Sequence, residues 1–82
     1  MYFVDRIQAQ GKRQRKVPLP KKFWKEFPSG AMVKVELLDN PGLFYVEKVQ
    51  AQGKIQRRIA LPKKFWPEFP LGSMVRIELI KR

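Results

Sequence analysis

A long internal repeat dominates this 82-residue chain. The segments IQAQGKRQRKVPLPKKFWKEFPSGAMVKVEL, beginning at Ile7, and VQAQGKIQRRIALPKKFWPEFPLGSMVRIEL, beginning at Val49, are nearly the same. Aligning the first 40 residues with the last 40 needs no gap, and 22 of the 40 pairs are identical. Because so short a unit can hardly build a core alone, the repeat predicts two interlocked halves. The predicted division is repeat one at 1–40, a turn at 41–42 and repeat two at 43–82, within one pseudo-symmetric domain of residues 1–82.

Each half shows the same strand signals. Apolar and polar residues alternate over 2–9 and 44–51, again over about 13–19 and 55–61, and after the glycines of the last third of each half. Alternation of this kind predicts β-strands with one buried face. The residues predicted to point inward are Phe3, Ile7, Ala9, Val17, Leu19, Val33, Val35 and Leu37, with their counterparts Tyr45, Val49, Ala51, Ile59, Leu61, Val75, Ile77 and Leu79.

A short helix is predicted between the second and third strands of each half. Pro20 and Pro62 suit its first position, where a missing N–H costs little. Phe23 and Phe27 then share one face, as do their counterparts. Pro67, present only in the second half, predicts a shorter or kinked helix there. The order ββαβ, repeated twice, predicts a mainly β fold with two short helices: a pseudo-twofold, six-stranded β-barrel.

The residue types that are missing restrict the chemistry. The chain has no cysteine, histidine or threonine, and its only serines are Ser29 and Ser73. Disulfides, thiolate metal sites and the usual base–nucleophile pairs therefore cannot be assembled. The carboxylates show no metal-binding spacing. We expect no enzyme activity, no metal and no cofactor. The lack of cysteines and of any apolar run suited to a membrane span or signal peptide predicts a cytoplasmic location.

Positive charge is concentrated in two segments. The formal net charge is +11, and 12 of the 18 lysines and arginines lie between residues 12 and 25 or between 54 and 64, where there is no acid. Such segregation suits a polyanion, because phosphate neutralisation releases counterions and drives association. Two matching patches related by pseudo-twofold symmetry favour double-stranded DNA, which has an approximate dyad of its own. The alternative is a solvated charged surface without a ligand.

Glutamines accompany the cations in both halves. Gln can pair with adenine and Arg with guanine in the major groove, although the glutamines are equally explained as polar residues at strand edges and turns. Lysines at a helix start oppose the helix dipole, so the two Lys-Lys pairs indicate a purpose other than stability. The candidate nucleic-acid-binding residues are Lys12, Arg13, Arg15, Lys16, Lys21, Lys22, Lys54, Arg57, Arg58, Lys63, Lys64, Gln10, Gln14, Gln52 and Gln56.

Two alternative functions remain open. Trp24 and Trp66 could stack on unpaired bases, as in a protein that binds RNA or single strands, although a Phe-Trp pair on so short a helix is more typical of a cap over a small core. The 22 identities also fit an engineered or reconstructed symmetric barrel without a physiological ligand.

The succession of these motifs resembles a known family. A strand, a Gly-Lys pair, a strand ending in Leu-Pro-Lys, a short helix and a Val-x-Val/Ile-Glu-Leu strand are similar to the AbrB/SpoVT-type swapped-hairpin domain, a cradle-loop barrel related to double-psi and RIFT barrels. The resemblance implies a nucleoid-associated transcriptional regulator or chromatin protein. It also implies a tandem duplication that lets one chain close its own barrel, as a monomer or within a homo-oligomer. The DNA contacts that it transfers fall on Lys12, Arg15, Lys16, Lys54, Arg57 and Arg58. The pairs Gly30-Ala31 and Gly72-Ser73 depart from the family's Gly-Asp.

Overall fold

The computed structural model describes residues 1–82 and is mainly β. All strands pair antiparallel in one curled, half-barrel sheet with the order β1-β7-β4-β5-β6-β3-β2. The strands are β1 (Tyr2–Arg6), β2 (Gln8–Gln10), β3 (Gln14–Pro18), β4 (Met32–Leu37), β5 (Phe44–Gln52), β6 (Gln56–Ala60) and β7 (Met74–Lys81).

The strand count differs from the predicted six because the first strand is interrupted at Ile7. The Ile7 N–H donates to the Ser73 carbonyl at 3.0 Å, and the Ile7 carbonyl accepts from Gly72 N–H at 2.9 Å. In the second half, Val49 makes the equivalent bonds but also stays in register with Ile59 in the sheet. β5 therefore runs unbroken, whereas its counterpart is divided into β1 and β2.

The two predicted helices are each a single 3₁₀ turn, Lys21–Phe23 and Lys63–Phe65. A six-stranded barrel with two helices is thus not confirmed as predicted. Pro20 and Pro62, predicted as first helical residues, instead stand just before the turns as N-caps with extended backbone. The N–H of Phe23 donates to the Pro20 carbonyl at 3.0 Å. One α-type bond follows each turn, from Phe27 N–H to the Phe23 carbonyl and from Phe69 N–H to the Phe65 carbonyl, and Pro28 and Pro70 lack the N–H that would continue the ladder. The expectation that Pro67 shortens the second copy is wrong, since both turns have three residues.

The core is a cluster of fifteen buried hydrophobic residues drawn from both halves. Most of the predicted inward positions are buried; Leu37 and Leu79 are partly buried and pack against the cluster. Ala9 and Ala51, predicted to point inward, are instead exposed. They lie opposite Arg15 and Arg57, where the hairpins have already run past the core. The buried residues are Phe3, Ile7, Val17, Leu19, Phe27, Ala31, Val33, Val35, Tyr45, Val49, Ile59, Leu61, Phe69, Val75 and Ile77.

The repeat appears in the structure as a pseudo-twofold axis. Val17 lies opposite Ile59, and Val35 lies opposite Ile77; in both pairs the partners hold the same place in the two repeats. The axis therefore passes between the members of each pair. Because all four are fully buried in one cluster, the two parts of the curled sheet face each other across the core. Their outer surfaces consequently point in opposite directions.

Candidate nucleic-acid interface

Two hairpins carry most of the predicted site. β2 and β3 are joined by a turn containing Gly11, and β5 and β6 by a turn containing Gly53. Both glycines have positive φ values, 69° and 71°, a conformation that L side chains rarely adopt. The turns present Lys12, Arg13 and Lys54 to solvent.

The strand register places glutamines beside cations on the outer surface. Gln8 lies opposite Lys16, and Gln50 lies opposite Arg58, in the two equivalent hairpins. Directly opposed residues of an antiparallel pair share a face. We call this outer surface of β2, β3, β6 and the Val49–Gln52 part of β5, together with the adjoining turns, the basic face.

Each hairpin forms a cleft with the segment around the 3₁₀ turn of the other half. The first cleft has a volume of about 240 Å³, and the second about 110 Å³. Every residue of the first cleft has its repeat counterpart in the second. The first cleft is lined by Lys16, Pro18, Leu19, Lys21, Trp24, Ile55, Gln56 and Arg57. The second is lined by Arg58, Ala60, Leu61, Lys63, Trp66, Arg13, Gln14 and Arg15.

A reciprocal pair of Arg–Trp contacts crosses between the repeats. The Arg57 guanidinium carbon lies 4.4 Å from the centre of the Trp24 ring, and that of Arg15 lies 4.2 Å from the centre of Trp66. Each indole N–H donates to a backbone carbonyl, that of Leu19 or Leu61, at 3.0 Å. The tryptophans are thus fixed against the core, and each holds an arginine of the other repeat in place through a cation–π contact.

Arg58 organises the second cleft further. Its Nη1 donates to Gln10 Oε1 and, at 3.0 Å, to Gln14 Oε1. Both glutamine carbonyl oxygens are therefore occupied, while their amide groups keep their donors. The counterpart Lys16 makes no side-chain hydrogen bond, and the side-chain oxygen of Gln52, the counterpart of Gln10, is buried without a partner.

The cations of the basic face are not neutralised by carboxylates. All four ion pairs of the chain join Lys34 or Arg76 to Glu36 or Glu78, on the opposite outer surface. None of the eleven predicted lysines and arginines takes part in one. Their positive charge therefore remains available to a ligand, and clefts lined by charge of one sign focus the local potential.

The clefts bring together only part of the predicted set. Lys12 and Lys54 lie at the hairpin turns, and Gln10 and Gln52 lie at strand ends, outside the cleft linings. Lys22 and Lys64 lie over the rings of Phe23 and Phe65, at 5.3 and 5.2 Å from the ring centres. These two lysines are therefore not part of the cleft linings.

The Arg–Trp pairs are not among the contacts expected from the sequence. Arg15 and Arg57 stand two residues before buried Val17 and Ile59, so they share the inward phase of their strands. That phase is the signal that could have placed them under the surface rather than on it. The pairing with a tryptophan of the other repeat depends on the fold and has no counterpart in local sequence.

The sequence matches no protein-family model and no curated protein.

In the structure, no group of three or more histidine, cysteine, aspartate or glutamate side chains could hold a metal ion. No helix combines the length and the apolar character needed to cross a membrane.

Proposed function

We propose that this protein binds double-stranded DNA through its basic face, in the manner of an AbrB-like regulator or chromatin protein of the nucleoid. The observation that carries the proposal is the separation of charge. Eleven cations without carboxylate partners surround two related clefts, while every ion pair lies on the other side of the core. Binding to phosphates with release of counterions requires such unneutralised charge.

Different residues suit different parts of a duplex. The exposed lysines at the hairpin turns and 3₁₀ turns suit phosphate oxygens, which position a protein without reading sequence. The glutamines lie on the same outer surface, and Gln10 and Gln14 keep their amide donors while accepting from Arg58. Those amides suit the acceptors of base edges in a groove. The pseudo-twofold axis gives both contributions twice.

The tryptophans contribute little to a single-strand binding mode. The Trp24 and Trp66 rings each carry an arginine within 4.4 Å of the ring centre, and each is only half exposed or less. A base that stacked on such a ring would have to displace the guanidinium. This arrangement favours the duplex over unpaired RNA or DNA as the ligand.

We also propose that the chain is a swapped-hairpin domain that closes into a barrel. The sheet order begins with β1 and ends with β2, and these two strands are separated only by Ile7. We propose that they act as one interrupted strand, so that one chain closes a six-stranded barrel of the swapped-hairpin type. The hydrogen bonds of Ile7 to Gly72 and Ser73, repeated at Val49 with Gly30 and Ala31, support this.

Fluorescence anisotropy with labelled duplex DNA, single-stranded DNA and RNA tests the function. A variant with K12Q, K21Q, K54Q and K63Q removes four exposed cations of the basic face. Its control, R6Q, K48Q, K81Q and R82Q, removes four exposed cations from elsewhere and changes the net charge equally. We expect the first to weaken duplex binding at least about tenfold and to lower the salt slope by about 3 to 4.

The control variant tests whether the position of the charge matters or only its amount. We expect it to stay within about threefold of the natural protein, because long-range attraction is screened beyond about 10 Å at moderate salt. An equal loss in both variants would show that net charge alone attracts DNA. Equal, weak binding to all three nucleic acids would favour a protein without a physiological nucleic-acid ligand.

A further inference from the structure

The outer surface of β1, β7, β4 and the first part of β5 has an unusual pattern of charged and apolar side chains. Two rows cross the four strands. The first row is Tyr2, Glu78, Lys34 and Val46, and the second is Val4, Arg76, Glu36 and Phe44. We call these eight residues the mixed face. It lies across the core from the basic face.

The centre of the mixed face is a ring of alternating charges. Lys34 lies 3.6 Å from Glu36 and 3.6 Å from Glu78, while Arg76 lies 3.9 Å and 3.2 Å from the same two carboxylates. The ring has no net charge, in a chain whose net charge is +11. The mixed face is therefore the surface on which a second copy of the chain would meet the least electrostatic repulsion.

Apolar side chains flank the ring on both sides. Tyr2, Val4, Phe44 and Val46 are between 40% and 55% exposed, which is high for large hydrophobic residues on neighbouring strands. Arg76 packs on the Tyr2 ring at 4.2 Å, and Lys34 lies over Phe44 at 5.5 Å. Exposed apolar groups gathered around a partly desolvated charge ring are typical of interaction surfaces.

The pattern is complementary to itself. When a second copy is turned face to face about a twofold axis parallel to the strands, Glu78 meets Lys34 of the copy, and Arg76 meets its Glu36. In the same arrangement Tyr2 meets Val46, and Val4 meets Phe44. An in-plane axis perpendicular to the strands also opposes unlike charges and places apolar residues together. A twofold interface requires one patch to match itself in this way.

We infer that the mixed face is a homodimer interface, with a second copy of this chain as its occupant. The dimer would leave both basic faces directed outward and free, so it does not depend on what they bind. Four strands spaced about 4.8 Å apart provide a narrow patch. We therefore expect weak association, visible from about 10 to 500 µM, as for other small interfaces.

A charge-exchanged variant provides the sharpest test. K34E, E36K, R76E and E78R together invert the ring but keep its internal ion pairs and the net charge. The variant should dimerise with itself, whereas opposed like charges should exclude it from mixed dimers with the natural chain. Native mass spectrometry of an equimolar mixture, with one chain isotopically labelled, measures the mixed species. We expect less than about a tenth of the statistical amount.

Sedimentation equilibrium without nucleic acid tests whether dimers form through the mixed face. The natural chain should show dimers whose fraction rises with concentration, and F44K should shift dimerisation to at least about tenfold higher concentration. Circular dichroism checks that each variant keeps its β structure, and I55K on the opposite side serves as the control. A monomer at every concentration, dimers unaffected by F44K, or mixed dimers at statistical abundance would each overturn the inference.

Discussion

The two clefts have the same origin in the repeat but differ in how their polar groups are satisfied. The second cleft is smaller, about 110 Å³, and Arg58 donates to two glutamines beside it. The first is about 240 Å³, and its Lys16 makes no such bond. Gln52, the counterpart of Gln10, keeps a buried carbonyl oxygen without a partner.

The two cleft linings differ at three pairs of positions, Lys16/Arg58, Pro18/Ala60 and Ile55/Arg13, and the first pair exchanges one cation type for another. A guanidinium carries several donors in a planar fork, so one arginine can bridge two glutamines, whereas an ammonium is a compact point charge on a flexible stem. Arg58 thus links β6 to two glutamines of the other hairpin. The first cleft is the larger of the two and has no such bridge.

The two halves of the core differ in a similar way. Tyr45 takes the place of Phe3, stacks on Phe65 at 5.2 Å and buries a hydroxyl that has no hydrogen-bond partner. Phe3 stacks on Phe23 at 4.8 Å and carries no polar atom. Both unpartnered buried side-chain atoms of the chain, Tyr45 Oη and Gln52 Oε1, therefore belong to the second repeat.

The largest effect is expected from the tryptophans. Trp24→Ala and Trp66→Ala should each reduce the free energy of unfolding by roughly 3 kcal/mol, because each removes a large ring packed on the core and a cation–π partner. If the repeats are energetically equivalent, the two values measured by urea unfolding will agree within about 0.5 kcal/mol. A difference above about 1.5 kcal/mol would break the equivalence. Trp24→Phe and Trp66→Phe provide milder variants that retain an aromatic ring.

The stability of the chain at high pH should depend on Tyr45 in the second half of the core, whereas its counterpart Phe3 does not titrate. Burial raises the pKa of the Tyr45 hydroxyl, and Glu47 adds to the rise. Since the unfolded tyrosine ionises near pH 10, stability from this group is complete below pH 10 and falls above it. Relative to Tyr45→Phe, the natural chain should lose about 1.4 kcal/mol per pH unit there.

The same substitution has a second consequence at neutral pH. Tyr45→Phe removes an unpartnered hydroxyl and should be neutral or stabilising by up to about 1 kcal/mol, whereas Phe3→Tyr should be destabilising. Thermal unfolding of both variants from pH 7 to 11 measures both consequences. A loss of stability in Tyr45→Phe at pH 7 would show that the hydroxyl has a partner.

Exchanging Lys16 and Arg58 for each other's residue type should transfer the glutamine hydrogen bonds from one cleft to the other. Lys16→Arg should let the new guanidinium donate to Gln52 and stabilise the chain by about 0.5–1.5 kcal/mol. Arg58→Lys should have the opposite sign, because it leaves Gln10 and Gln14 without their donor. Urea unfolding gives the energies, and a crystal structure of Lys16→Arg shows whether the first cleft narrows. An unchanged first cleft would mean that residues other than the cation set its width.

The smallest effect concerns the 3₁₀ turns. Pro67→Lys gives the second turn the residue of the first and should cost about 0.5 kcal/mol, mainly by releasing the unfolded chain from the proline constraint. Lys25→Pro should stabilise by a similar amount if the first turn tolerates the ring. Changes in thermal stability that are equal in size and opposite in sign would show that the two turns have the same backbone requirements. A cost above about 2 kcal/mol would show that Pro67 packs in a way Lys25 does not.

Much of the fold follows from short-range patterns. Alternation identified the strands and most of the core, since period-two burial is a local property, and the repeat indicated two matching halves. The prolines located the short turns, but their number and position also prevented the helices that i, i+4 phenylalanines suggested. Ala9 and Ala51 continued the alternation beyond the end of the core, which no local pattern marks.

The site was only partly predictable for a related reason. The concentration of cations was visible in the sequence, but the absence of carboxylate partners around them depends on which strands become neighbours. Arg15 meets Trp66, and Arg57 meets Trp24, only because β3 pairs with β6 across the pseudo-twofold axis. Lys16 and Arg58 are a conservative exchange between the aligned repeats. Only the folded chain shows that Arg58 bonds two glutamines and Lys16 bonds none.

An amide-resolved NMR titration with a short DNA duplex locates the nucleic-acid contacts residue by residue. We expect the largest shift changes in β2, β3, β6 and the turns at Gly11 and Gly53, in both halves. Amides of β4 and β7 around Lys34 and Arg76 should change little at protein concentrations below those of self-association. Shifts concentrated on the mixed face, or spread evenly over the whole surface, would contradict the assignment of DNA binding to the basic face.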